Sequence, residues 1–213
     1  MHLAGIIGSR RIITAAGVVL ALAGLLILPG CWVMSIHPLY EDVSPTDPDI
    51  VFDKGLTGSW TLTDEKCTTV LTITAKDEVY DLQQAKQGEG CGDWQEKSHQ
   101  EARLLKLESS YFLDISPIPD DVCDMCIAVH WIAAARFDKE TFALTPIDSD
   151  GLNKLLQART IDLKTVPEDP KPRIIERPVT LTASAKDLKS FCRRFAGDKT
   201  VFKADSTFTF KRK

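Results

Sequence analysis

Apolar positions change their period along the chain, and the changes mark its parts. A continuous apolar run from Ile12 to Leu28, about 17 residues, follows Arg10-Arg11 and ends at Pro29-Gly30-Cys31. From Leu56 onward, alternation with period two dominates, as expected of strands with one buried face. Gly58, Trp60 and Leu62 share a face, and so do Leu71 and Ile73 in the β-branched stretch 67–74. Val79–Leu82 and Glu101–Leu107 follow, and then Tyr111–Ser116, where Tyr111, Leu113 and Ile115 alternate with Phe112, Asp114 and Ser116. Ile127–Phe137 is apolar on both faces and predicts a strand covered on both sides. Thr141–Ile147 returns after Asp138-Lys139-Glu140. These strands come at hairpin spacing, which predicts an antiparallel meander.

Late in the chain the period becomes helical. Asp148 or Ser149 caps a segment near 149–158, with Leu152, Leu155 and Leu156 on one stripe. Ser184 and Asp187 form a capping box for a second helix near 185–196. Its stripe is Leu188, Phe191, Cys192 and Phe195, and Gly197 stands at its end. A strand over Arg173–Leu181, interrupted by Pro178, lies between the helices, and Phe208 and Phe210 alternate in a last strand. The expected fold class is α+β, mainly β: a meander sheet or incomplete barrel with two packed C-terminal helices.

The parts divide as follows. Residues 1–30 read as an export signal, with a basic start, an apolar centre and small residues before a cut. The apolar run also reaches the short end of the range for a spanning helix, ~17–25 residues. Pro29-Gly30 breaks it where a span would need more length. Residues 31–55 read as a tether, with Pro38, Pro45 and Pro48 against regular structure and Glu41, Asp42, Asp47, Asp49 and Asp53 keeping it solvated. Within it, Ser35–Tyr40 carries apolar groups able to dock, and His37 there is a lone histidine before a proline. Residues 56–213 read as a single β-rich domain.

Charge and cysteines narrow the function classes. The chain carries −4 in total, and loss of residues 1–30 removes two arginines and no acid, leaving −6. That balance offers no field for nucleic acid. Beyond Cys31, five cysteines remain, at 67, 91, 123, 126 and 192. An exported chain meets an oxidising compartment, so Cys67, Cys91, Cys123 and Cys126 are disulfide candidates. A Cys67–Cys91 bond would staple a hairpin-like unit and contribute about 3 kcal/mol, although spacing alone does not fix the pairing. Cys192, on an apolar helical stripe, reads as a buried inert thiol. Cys123, Cys126 and His130 are the one local set with metal or redox chemistry. A structural metal site wants a fourth ligand, and a thioredoxin-type motif wants a βαβ context. The bland alternative is a local disulfide or two packed thiols, with His130 packed under the sheet. No hydrolase signature or phosphate loop is present, so no catalytic residues and no cofactor are expected.

Leu28-Pro29-Gly30-Cys31 resembles the bacterial lipobox, which implies that Cys31 is the first mature residue and carries acyl chains. Trp32 follows it, rather than the aspartate that holds lipoproteins at the inner membrane. The resemblance therefore implies an outer-membrane anchor facing the periplasm. Gly58-Ser59-Trp60 resembles the Gly-x-Trp start of lipocalin-type barrels, where the tryptophan plugs one end. Most of residues 31–195 resemble a group of uncharacterised bacterial lipoproteins. Ser35–Tyr40, Val51–Asp53, Leu56–Trp60, Tyr111–Ile115, Leu144–Leu156 and Leu181–Ser184 carry that likeness. It implies a location and a common architecture, but no activity, and the cysteine-rich loop at Cys123 departs from it. The expected role is non-catalytic: a lipid-anchored envelope protein binding a partner protein or an apolar ligand at the concave face of its sheet. A purely structural or assembly role through protein contacts is the alternative, with the Cys123/Cys126/His130 site as a third.

Overall fold

Eight strands of the expected meander close on themselves. The computed structural model describes residues 33–41, 47–64, 66–88, 91, 98–118, 128–166 and 179–213. Two short strands come first, β1 (Met34–Ser35) and β2 (Ile50–Val51). The meander follows as β3 (Gly58–Asp64), β4 (Cys67–Lys76), β5 (Val79–Gln87), β6 (Ser98–Leu107), β7 (Ser110–Pro117), β8 (His130–Phe137) and β9 (Thr141–Pro146). Then come α1 (Ser149–Gln157), β10 (Thr165–Val166), β11 (Thr180–Leu181), α2 (Ala185–Phe195) and β12 (Phe208–Arg212). β12 pairs antiparallel with both β9 and β3 and closes an antiparallel eight-stranded barrel. Closure removes the edges that an open meander would leave unpaired.

Two cores lie on the two sides of the barrel wall. Inside, Trp60, Tyr80, Leu104, Leu113, Ala133 and Phe142 are fully buried. Outside β6, β7 and β8, the second core joins Leu105, Leu107, Phe112 and Ile132 to Leu152 of α1 and Leu188, Phe191 and Cys192 of α2. The two-sided apolar character of β8 follows from this sandwiching.

Both helices start on the caps that their sequences predict. Asp148 accepts the Gly151 N–H at 2.7 Å, and the Ser184 hydroxyl accepts the Asp187 N–H at 3.3 Å. Gly151 is buried, and a Cβ there would overlap the Thr200 carbonyl oxygen. The approach is fixed by the Asp148 N–H bond to the Val201 carbonyl, 2.7 Å. Gly151→Ala is therefore expected to destabilise by about 1–3 kcal/mol through overpacking. Chemical denaturation is the check, and an unchanged midpoint would contradict the close approach.

The N-terminal stretch corrects the tether reading over its described residues. β1 joins the sheet between β8 and β11, and β2 pairs with β6 beyond the point where β5 has left it. Val33 and Leu39 are buried. Two of the acidic side chains expected to keep this stretch solvated, Asp47 and Asp49, are bonded instead. Asp47 accepts two contacts from the Lys189 ammonium on α2, at 2.6 and 2.7 Å. Asp49 accepts Lys189 at 2.8 Å and Arg193 at 2.9 Å. Composition alone does not distinguish a solvated acid from one whose cation lies 142 residues away.

Burial pushes the Asp47 carboxyl up, but its bonds to Lys189 and to the Asp49 and Glu41 N–H groups outweigh this. They hold it below its ordinary 3.8. Lys189 loses proton affinity to burial but gains more from Asp47 and Asp49, and is held above its ordinary 10.5. The stabilisation from Asp47 is thus complete above the unfolded-state value and lost as pH falls through the lower folded-state value. That from Lys189 is complete below its unfolded value and lost only as pH rises through the higher folded one. Asp47→Asn is expected to cost about 2 kcal/mol at pH 7, since Lys189 keeps Asp49 as a partner. The wild-type and mutant thermal midpoints should converge as acid protonates Asp47. A gap that persists at every pH would refute the charge-based account.

Candidate functional site

The described residues at the two ends of the barrel differ in character. At one end Trp60 donates its indole N–H to the Leu56 carbonyl at 2.9 Å, and its ring lies 5.7 Å from that of Phe142. Arg212 covers the indole, its guanidinium carbon 4.1 Å from the ring centroid. The same guanidinium donates to the Lys139, Thr57 and Gly55 carbonyls at 2.7, 3.0 and 2.6 Å. Three chain segments are thereby drawn together over the tryptophan.

Toward the other end, the register keeps residues facing inward. Leu62 is paired with Thr69, Gln84 with Ser98, and Leu82 with Gln100. Leu62, Thr69, Gln84, Gln100, Trp131 and Phe208 are all half-buried, as Tyr111 and Phe137 are toward the Trp60 end, while Trp60, Tyr80 and Phe142 have no access to solvent. The inward rows of this end combine apolar and aromatic side chains with a few amide and hydroxyl groups, a composition that suits a ligand or a partner side chain. The β5–β6 and β7–β8 connections both leave from the end opposite Trp60. A Cys67–Cys91 disulfide ties the start of β4 to the first of these connections. Gly88 precedes it at φ +122°, where a Cβ would overlap the Lys66 carbonyl oxygen, so the turn into the rim requires glycine.

A second cluster lies on the outer wall, under α2. Asp114 faces outward from β7 and is buried. Its carboxylate accepts the Leu39 N–H at 2.5 Å and contacts His130 Nδ1 at 2.7 Å. Since the carboxylate is the acceptor, Nδ1 carries the proton in this contact. The Tyr40 ring stands edge-on to His130, and the Arg103 guanidinium covers the Tyr40 ring at 4.8 Å. Burial, and then the charge of Asp114, push the Cys192 thiol upward, so it stays protonated and is a poor nucleophile. The Ser35 hydroxyl donates to the His37 carbonyl at 2.7 Å and accepts the His37 N–H at 3.2 Å. Serine, histidine and aspartate are all present, but the serine proton is committed to the main chain. The cluster reads as a clamp on residues 33–41 rather than as a nucleophilic site.

The expected site residues fall in different places. Cys67 and Cys91 are bonded to each other, Cys192 is a free buried thiol, and His130 is held by Asp114. Cys31, Cys123 and Cys126 lie outside the described residues, as do Ile127 and Arg173–Pro178 of the expected strands. Among the described residues no cluster of histidine, cysteine and acidic side chains is arranged to hold a metal ion, and no helix is long and apolar enough to cross a membrane. Comparison with protein-family models, with curated proteins and with solved structures finds no match to this chain.

Proposed function

We propose that the protein is a lipid-anchored, non-catalytic component of the bacterial envelope, which binds a partner protein or an apolar ligand at one end of its barrel. The observation that supports the binding role is the mixed apolar and amide lining of the barrel end opposite Trp60. There Leu62, Trp131 and Phe208 stand half-buried beside Thr69, Gln84 and Gln100. Trp60, Tyr80 and Phe142 fill the interior toward the opposite end, which suits the site to a small apolar group or an inserted side chain rather than to an enclosed lipid. The anchor rests on Leu28-Pro29-Gly30-Cys31 after the apolar run, and Trp32 favours the outer membrane, facing the periplasm.

The anchor is tested by the intact mass of the full chain extracted from bacterial membranes, beside Cys31→Ala. Acyl mass on the wild type alone supports it, and an unmodified wild type removes it. Native mass spectrometry of the same extract tests the site. Extra mass that is lost on denaturation and reduced by Gln100→Ala supports binding at the mouth. No extra mass, together with chemical cross-linking to another envelope protein, favours the assembly role. Metal mass abolished by His130→Ala would instead favour the Cys123/Cys126/His130 site.

A further inference from the structure

β8 forks at the barrel end opposite Trp60. Its residues from Ala133 onward pair with β9, while His130 and Trp131 pair with β1. β1 carries β11, and β11 carries β10, so a three-stranded wing leaves the barrel wall there. The register sorts the residues of the wing into two rows. Thr165, Leu181, Ser35 and His130 form one, and all four are buried beneath the helical layer. Val166, Thr180, Met34 and Trp131 form the other. Val166 is 56% exposed, and Thr180, Met34 and Trp131 are half-buried. Among the described residues the other exposed large apolar side chain is Phe52, which stacks on Tyr80 at 5.2 Å.

We propose that the Met34–Thr180–Val166 face of this wing rests on the membrane surface. The inference rests on the acylation of Cys31 proposed above. Only Trp32 and Val33 lie between Cys31 and Met34, so the Cα atoms of the two are at most about 11 Å apart. The interfacial layer on each side of a bilayer is itself roughly 5–8 Å deep. An acylated Cys31 therefore holds β1 at the interface, with no length left for a spacer. Of the two rows, one is already covered by helices, so the other meets the lipid. Methionine and valine supply the apolar contact, and the row ends where Trp131 turns inward against Phe208. The clamp of Asp114 on Leu39 keeps β1 from peeling away from the barrel, so the anchor sets the orientation of the whole domain.

The test places a photo-cross-linking amino acid at Val166, and separately at Thr180, in the full chain produced in bacteria. Asp77, in the exposed β4–β5 turn at the Trp60 end, is the control position. Thermal unfolding confirms that each variant is folded, and intact mass reports Cys31. The expected result is a mass shift of one phospholipid at 166 or 180 and none at 77. Acylated Cys31 without a lipid adduct at either wing position overturns the wing contact and leaves the lipoprotein reading standing. Equal lipid adducts at 77, or protein adducts in place of lipid at 166 and 180, also overturn it. An unmodified Cys31 removes the lipoprotein reading, and the inference with it.

Discussion

Trp60→Ala is expected to cost the domain roughly 3–5 kcal/mol, the range for emptying a fully buried tryptophan site. Three losses combine. The apolar contacts with Phe142 and the rest of the inner core go, and a cavity opens that the closed barrel wall is poorly able to collapse. The Leu56 carbonyl loses the indole N–H. Arg212 loses the ring beneath its guanidinium, although its three carbonyl partners remain. Trp60→Phe keeps most of the volume and removes the N–H, so about 1 kcal/mol is expected for it. Denaturant unfolding of both variants checks the account. A Trp60→Ala cost below that of Trp60→Phe would mean that this end of the barrel is not held by the tryptophan. The packing of Trp131 on Phe208 should survive in Trp60→Phe, because Trp60 lies toward the opposite end.

Much of this end was legible from residues. Gly58-Ser59-Trp60 at the start of a meander marked both the strand and the plug, and the strands of the barrel follow the alternation. Closure was not legible, because β12 is five residues long and its two partners lie far back in the chain. Arg212 was equally hidden: a cation among Lys211, Arg212 and Lys213 gives no sign of which one turns back over an indole. Local period reports which face is buried, but not which distant strand covers it.

The outer wall shows the same limit from another side. The capping signals placed α1 and α2 correctly because a cap is a contact three residues long. The tether reading failed because its evidence was composition. Proline and aspartate over residues 31–55 disfavour regular structure, but they do not exclude two short strands and a set of carboxylate bonds. One signal was available. Asp114 stands in β7 between neighbours buried on both faces, Leu113 and Ile115 inward and Phe112 outward. A carboxylate in such a row needs a partner, and only the fold shows that the partners are Leu39 and His130.

That carboxylate gives the second large effect. Asp114→Ala is expected to cost about 3–5 kcal/mol, because it strands two donors at once, the Leu39 N–H and His130 Nδ1, in a site without water access. Asp114→Asn should cost much less, about 1 kcal/mol. Its carbonyl oxygen can keep the Leu39 N–H, and its amide can donate to His130 once the proton moves from Nδ1 to Nε2 of the ring. The order of the two variants therefore tests hydrogen bonding against charge: similar large costs would mean that the negative charge itself holds the clamp. Hydrogen exchange locates the damage. In Asp114→Ala the amides of residues 33–41 should lose protection before those of the barrel strands, since β1 has only two residues and depends on this anchor. If those amides exchange no faster than the barrel in the alanine variant, the clamp is elsewhere. Loss confined to residues 33–41 would free the N-terminal stretch, and with it the proposed attachment point at Cys31, from a barrel that stays folded.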